Sequence, residues 1–242
     1  MRAYLRFELR RLVRDPRLMF FSIIGPVATY LIFSGWSAGE RLEGLAAPVA
    51  VMIGLAGYGA VAGVLMVGSA VSQERAVGWL RQLRVTPLTS GQVVAVKTLI
   101  GSITAIPPVI AVGIVASIQH HVELSAGRWL ALLLLMWTGT VPFALLGLAI
   151  GYGVSPHVAV PVNFLVFLAL SVLGGLLVPA AYFPDDLRHL AHALPTYRYA
   201  ELGWRSAAGQ PPTATGLAVL AAWTLLFAAV AAGAYRRSTA RR

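Results

Sequence analysis

Residues 46–70 read AAPVAVMIGLAGYGAVAGVLMVGSA, and residues 71–97 continue VSQERAVGWLRQLRVTPLTSGQVVAVK. The first stretch has no charged side chain. The second is a charged, amphipathic island that ends where another apolar run begins. A helix rises about 1.5 Å per residue, so crossing a hydrocarbon core of about 30 Å takes about 20 apolar residues. Residues 46–70 meet that length, which makes the fold a membrane fold. The island that follows is built to be touched from the water.

Five more segments qualify on the same count: residues 18–36, 93–118, 129–153, 158–179 and 214–235. The six together take over half of the 242 residues. Mean hydropathy is +0.76 and only 12% of residues are charged, outside the range of soluble domains. The pattern predicts a single all-α membrane domain over residues 1–242. It has six transmembrane helices, an N-terminal interfacial helix (1–17), a loop at 71–92 and short outer helices at 180–205.

The net charge of +10 is distributed as a topology signal, not a nucleic-acid footprint. Six Lys and Arg precede residue 18, four lie in 71–97 and four in 236–242, against five elsewhere. With six spans these fourteen share one side, and the positive-inside rule puts that side and both termini in the cytoplasm. The absence of cysteine excludes disulfides and thiolate chemistry. Glu8 and Asp15 in the basic lead-in, and a first apolar run longer than a usual signal core, predict a retained anchor.

Leu5, Leu9, Leu12 and Val13 fall on one helical face beside Arg6, Arg10 and Arg14, the pattern of a helix lying among anionic headgroups. In residues 73–85, Ala76, Trp79, Leu80 and Leu83 share one face, with Glu74, Arg75, Arg81, Gln82 and Arg84 on the other. That spacing predicts a short helix lying flat, its charged side outward. Thr86-Pro87 ends it, because the residue before proline is pushed out of helical geometry. Near residue 180, Asp185 and Asp186 precede Leu187, Leu190, Ala191 and Leu194 at helical spacing before Pro195, which predicts amphipathic helices capping the outer face. Gly59-x-x-x-Gly63 and Gly147-x-x-x-Gly151 permit close helix approach. Pro26, Pro107, Pro108, Pro142 and Pro161 fall inside spans and predict kinks.

E-R-A-V-G-W-L-R-Q-L-R-V-T-P-L-T, with Glu74, Gly78, Leu80, Leu83, Arg84, Thr86, Pro87 and Leu88, resembles the cytoplasmic loop of type-2 ABC exporter permeases. A second stretch, from Gly175 through Pro179, Pro184, Leu187, Leu194, Pro195 and Thr196, resembles the same family's fifth span and re-entrant outer helices. The resemblance implies that the loop is a coupling helix docking on a separate ATP-binding subunit. That partner binds ATP and Mg and this chain needs no cofactor. It further implies pairing with a second permease copy or a paralogue in the cell membrane. The substrate path would be lined by the first, second and fifth spans, where Phe20, Phe21, Tyr30, Phe33, Asn163, Phe164 and Phe167 are the candidates. An uncharged, aromatic lining fits an amphipathic or lipid-like cargo, such as a drug or metabolite.

Three other readings were weighed. Gly91 to Thr98 approaches a phosphate-binding loop, but Val96 stands where its second glycine belongs, and no strand precedes it. An ion-coupled carrier or channel is the alternative function, yet apart from Lys97 the spans hold no Asp, Glu, Lys or Arg to relay protons. A metalloenzyme would have to use His120-His121, or His189 and His192 with Asp185 or Asp186 adding a carboxylate; there is no H-E-x-x-H, and the helical pattern of the outer loop already accounts for these positions, so no metal site is expected.

Overall fold

The computed structural model describes residues 16–35, 41–77 and 90–240, with side chains described over 22–35, 41–77 and 91–238. Ten α-helices appear among them: α1 Pro16–Phe33, α2 Ala47–Ala76, α3 Ser90–Ile103, α4 Ile106–His120, α5 Ala126–Thr138, α6 Val141–Gly153, α7 Pro156–Leu173, α8 Asp185–Ala193, α9 Pro195–Ala207 and α10 Ala214–Ala240. A two-stranded hairpin, β1 Arg41–Leu42 and β2 Leu45–Ala46, precedes α2, and a 3-10 turn spans Ala180–Tyr182. Five segments are long and apolar enough to cross a membrane: α2, α3–α4 together, α5–α6 together, α7 and α10. α1 adds a shorter apolar stretch, Ser22–Phe33.

α2 is the axis. It packs against α1, α4, α6, α7 and α9, and 78% of its apolar window is buried, against 17% for α10 at the periphery. Small residues let the neighbours in. A β-carbon on Gly68 would collide with the Gly147 carbonyl, and one on Gly151 with the Gly68 carbonyl, so α2 and α6 touch backbone to backbone. The predicted motif at Gly147–Gly151 therefore makes a real crossing, with Gly68 as its partner. On the opposite side of α2, Gly59 accepts the Pro26 ring of α1 and the Pro108 ring of α4.

Two of the expected spans are broken, not kinked. Pro107 and Pro108 lack the N–H groups that would bond one turn back, and α3 ends in a tight turn where Thr104 and Ala105 donate to Gly101 and Ser102. The Thr104 hydroxyl also donates to the Gly101 carbonyl, at 2.6 Å. Pro142 has the same effect between α5 and α6, where the Thr140 hydroxyl donates to Trp137. Each hydroxyl adds a second donor to a carbonyl that already accepts the same threonine's backbone N–H, which tightens the turn at the break.

Several boundaries differ from expectation: α1 ends at Phe33, before Trp36, and α10 runs to Ala240, past Tyr235. α2 runs six residues past Ala70, because Val71 to Ala76 continue its hydrogen-bond ladder. α3 starts at Ser90, inside the predicted loop. α7 stops at Leu173 and not at Pro179: Gly175 takes a left-handed φ of 79°, Leu176 donates to Ser171 and Gly175 to Val172, a Schellman stop that only glycine closes without strain. Beyond it, α8 and α9 form a cap of two unlike halves: α8 is largely exposed, and α9 is largely buried against the bundle. Pro195 opens α9 from its first turn, where its missing N–H costs nothing. The cap is pinned to the bundle: the Thr196 hydroxyl donates to Leu170, and the Trp204 indole N–H to Ala50.

Candidate functional site: the two ends of the loop at 77–89

Of the predicted coupling residues, Glu74 lies among the described residues; Gly78, Leu80, Leu83, Arg84, Thr86, Pro87 and Leu88 lie outside them. The ends of the loop are well placed. α2 brings Glu74 to its last turn, and α3 brings Lys97 to its second turn. Lys97 Nζ sits 2.9 Å from Glu74 Oε1 and 2.8 Å from Oε2, with both side chains buried. This corrects the expectation that Glu74 faces outward. The helical projection over 73–85 assumed a new helix; α2 instead continues with its own rotational phase and turns Glu74 inward.

Arg75 points the other way around the same turn. Its guanidinium donates to the Tyr152 and Val154 carbonyls at the C-terminus of α6. Those carbonyls have no partners within the helix, and a cation there also complements the helix dipole. Tyr152 in turn packs edge-on against Tyr235 of α10, with centroids 5.0 Å apart. Val71, Leu148, Ala149 and Ala231 complete a small separate core at this end. The result is one clamped unit: an ion pair joins α2 to α3, Arg75 joins α2 to α6, and two tyrosines join α6 to α10.

Lys97 and Arg75 are the residues that sequence reasoning undervalued. A lysine within an apolar run needs a counter-charge, and Glu74 is the nearest acid across the loop in sequence. That signal was available.

The predicted path residues separate into two groups. Tyr30 is fully buried, its hydroxyl donating to Pro48 at 3.4 Å. Asn163 is 1% exposed and donates to the Ser69 hydroxyl at 2.8 Å, stitching α7 to α2, while Phe167 leans on Tyr58. These three pack inside the protomer. Phe33 and Phe164 are exposed, at the end of α1 and the middle of α7; the side chains of Phe20 and Phe21 are outside the described set. A cavity of about 770 Å³ opens elsewhere, between α3, the α5–α6 break and α10, lined by Thr98, Ser102, Trp137, Tyr235 and Arg236. Among the described residues, none of the predicted path residues borders it.

Residues 35–39 read G-W-S-A-G, formally the nucleophile-elbow pattern. An elbow needs a strand leading in and a helix leading out. α1 ends before this stretch and β1 begins after it, and residues 36–39 lie outside the described residues.

At the hairpin end, Tyr197 donates to Glu43 Oε2 at 3.2 Å, and Arg198 pairs with Glu201 at 2.9 Å. Burial pushes the Glu43 carboxyl above its ordinary range, and nearby Glu201 adds to this; the Tyr197 hydrogen bond and Arg188 oppose it. A folded-state value above the unfolded one means that Glu43 favours folding most when protonated, and that this contribution is lost as pH rises through the folded value. Glu43→Gln should therefore raise the melting temperature at neutral pH and lose that advantage in acid below the ordinary carboxylate range. Thermal denaturation of both proteins across pH checks this.

The ABC-2 type transporter family model matches residues 1–205, most of the chain. The chain belongs to the ABC-2 type transporter family. It is also 24% identical over 221 residues to "Putative transport permease YvfS" of Bacillus subtilis (strain 168), covering 91% of this chain and 90% of that protein. Membership makes it a multi-pass membrane transport permease, a family whose members normally work with an ABC ATP-binding subunit and are not themselves ATPases. The family match ends at Arg205, near the end of α9, so α10 and its tyrosine contact to α6 lie beyond it.

Proposed function

We propose that this chain is the membrane-spanning half of an ATP-driven exporter that moves an amphipathic or lipid-like compound out across the cell membrane. Six passages leave both termini and the loop at 71–92 in the cytoplasm. There a separate ABC subunit, binding ATP and Mg, docks on Gly78, Leu80, Leu83, Arg84, Thr86, Pro87 and Leu88. Glu74 serves from beneath, holding the loop's root to Lys97. Two permeases, identical or paralogous, pair to form the path.

The observation that carries this reading is the clamp. A merely solvated loop needs no buried ion pair and no guanidinium spanning to a neighbouring helix at its root, whereas a loop that transmits force needs both. The exposed apolar faces of α1 (Ile24, Leu31, Ile32) and α7 (Val158, Phe164, Leu165) support a paired assembly with lipid around it. The ion-coupled alternative finds little support: among the described residues the buried charges are Glu74 and Lys97, which are closed on each other at the helix ends.

The chain purified alone should hydrolyse no ATP, and the co-purified ABC subunit should restore hydrolysis. Arg84→Ala should weaken docking by about thirtyfold, the effect of losing an interface anchor worth ~2 kcal/mol, while leaving membrane insertion intact. Binding measured by titrating the ABC subunit onto the reconstituted permease checks this. Hydrolysis by the permease alone, or full coupling in Arg84→Ala, would contradict the proposal.

A further inference from the structure

We infer that the pocket between the β1–β2 hairpin, α2 and α9 binds an amphipathic organic cation, with Glu43 taking the ammonium and Phe33, Tyr182 and Trp204 enclosing the hydrocarbon. The binding does not depend on the transport reading above; that such a cation is also the cargo would rest on it.

Three observations meet at Glu43. The first is backbone conformation. Arg41 pairs with Ala46 and Leu42 with Leu45, which leaves Glu43-Gly44 as a two-residue hairpin loop. Both residues have positive φ, 51° and 77°. Such loops take Asn-Gly or Asp-Gly, because a longer side chain is disfavoured in the left-handed region by about 1–2 kcal/mol. A glutamate held there against its preference points to a role for its carboxylate.

The second is incomplete neutralisation. Glu43 receives one hydrogen bond, from Tyr197, and among the described residues no cation lies within ion-pair distance of it. The nearby guanidiniums are engaged elsewhere. Arg188 donates to the Ala180, Ala181 and Phe183 carbonyls and lies 3.3 Å from Asp185. Arg198 holds Glu201 and the His192 carbonyl.

The third is the surroundings. Glu43 lines a pocket of about 260 Å³ whose other walls are apolar. Phe33 and Tyr182 stand exposed at 38% and 55%, while Trp204 is fixed beneath them by its indole bond to Ala50. Gly54 forms part of the floor, where a β-carbon would come within 2.9 Å of the Leu176 carbonyl. A carboxylate in the wall of a mostly apolar pocket that aromatic side chains also line is the chemistry that selects an organic cation over a neutral or anionic compound. The volume accommodates a quaternary head with one ring or a short chain, smaller than a drug-sized site.

The test uses the full chain in phosphatidylglycerol nanodiscs, without ATP or a partner subunit, and radiolabelled benzyltrimethylammonium as probe. Saturable binding is expected that unlabelled cation displaces and the uncharged carbon isostere, neopentylbenzene, does not. Glu43→Gln should weaken it by about tenfold, Tyr182→Leu by severalfold, and Glu43→Asp should retain most of it. Equal displacement by the isostere, or undiminished binding in folded Glu43→Gln, overturns the proposal. So does loss of probe binding when phosphatidylethanolamine is included, which would assign the pocket to lipid headgroups. If Glu43→Gln does not fold, the isostere comparison and Tyr182→Leu decide. Because no ATP is involved, failure here leaves the exporter reading standing, and failure of ATP coupling leaves this result standing.

Discussion

Gly68→Leu should prevent α2 and α6 from docking and remove most of the folded protein from the membrane. Even alanine at this position places its β-carbon against the Gly147 carbonyl, and the facing residue, Gly151, has no side chain that could move aside. Relief requires the two backbones to separate, which opens the packing along the best-buried helix of the bundle. Overpacking a core usually costs about 1–3 kcal/mol; collision with the Gly147 backbone, which has no side chain to yield, puts Gly68→Ala at the top of that range and Gly68→Leu beyond it. Gly233→Ala is the control, because nothing lies within 4 Å of a β-carbon there, and its stability should stay within about 1 kcal/mol of the parent. Folded yield and melting temperature in detergent report the difference.

The second large effect is at the loop root. Lys97→Met removes the Lys97 ammonium from the buried Glu74 carboxylate, and Glu74→Gln removes that carboxylate from Lys97. Each single change should destabilise by about 3–5 kcal/mol, the usual cost of stranding one member of a buried pair. Exchanging both for apolar residues, as in Glu74→Leu with Lys97→Met, should recover most of that stability, since no charge is then left stranded. The same double variant loses the bond that couples α2 to α3, so ATP hydrolysis and transport should remain uncoupled in a protein that is folded. Recovery of stability without recovery of coupling separates a force-bearing pair from one that only holds the fold.

Much of this architecture can be read in the chain, for physical reasons. Span length is set by the solvent, so the apolar runs could be placed without knowing their neighbours. The amphipathic cap followed from helical spacing at Leu187, Ala191 and Leu194, with Pro195 marking the junction. Gly147 and Gly151 announced a close crossing but not its partner, because contact between distant segments leaves no local trace; Gly59 turned out to serve α1 and α4. The prolines announced disturbance. The proline alone does not mark whether a helix continues or breaks: Pro26 and Pro161 sit inside continuous helices, whereas α3 and α5 end before Pro107 and Pro142.

At the site, the inward turn of Glu74 was hidden because its direction follows the phase of α2 and not that of the loop pattern. Tyr30 and Asn163 looked like path residues by chemistry and position along their spans; their rotation puts them inside the protomer, where Asn163 meets Ser69. The hairpin and its pocket went unnoticed because Glu43-Gly44 departs from the Asn-Gly or Asp-Gly signal that marks such turns.

The central claim is that an ABC subunit pushes on this chain through the loop at 77–89. The protein has no cysteine of its own, so single cysteines can be introduced without removing any. Leu83→Cys and Thr86→Cys would probe the loop, and Ser125→Cys the opposite end of the bundle. Each variant, assembled with the ABC subunit that co-purifies with it, is treated with a short bifunctional maleimide. The account predicts cross-linking to that subunit from positions 83 and 86 and none from 125. Cross-linking from 125 alone, or from none of the three in an assembled and ATP-hydrolysing complex, would contradict it.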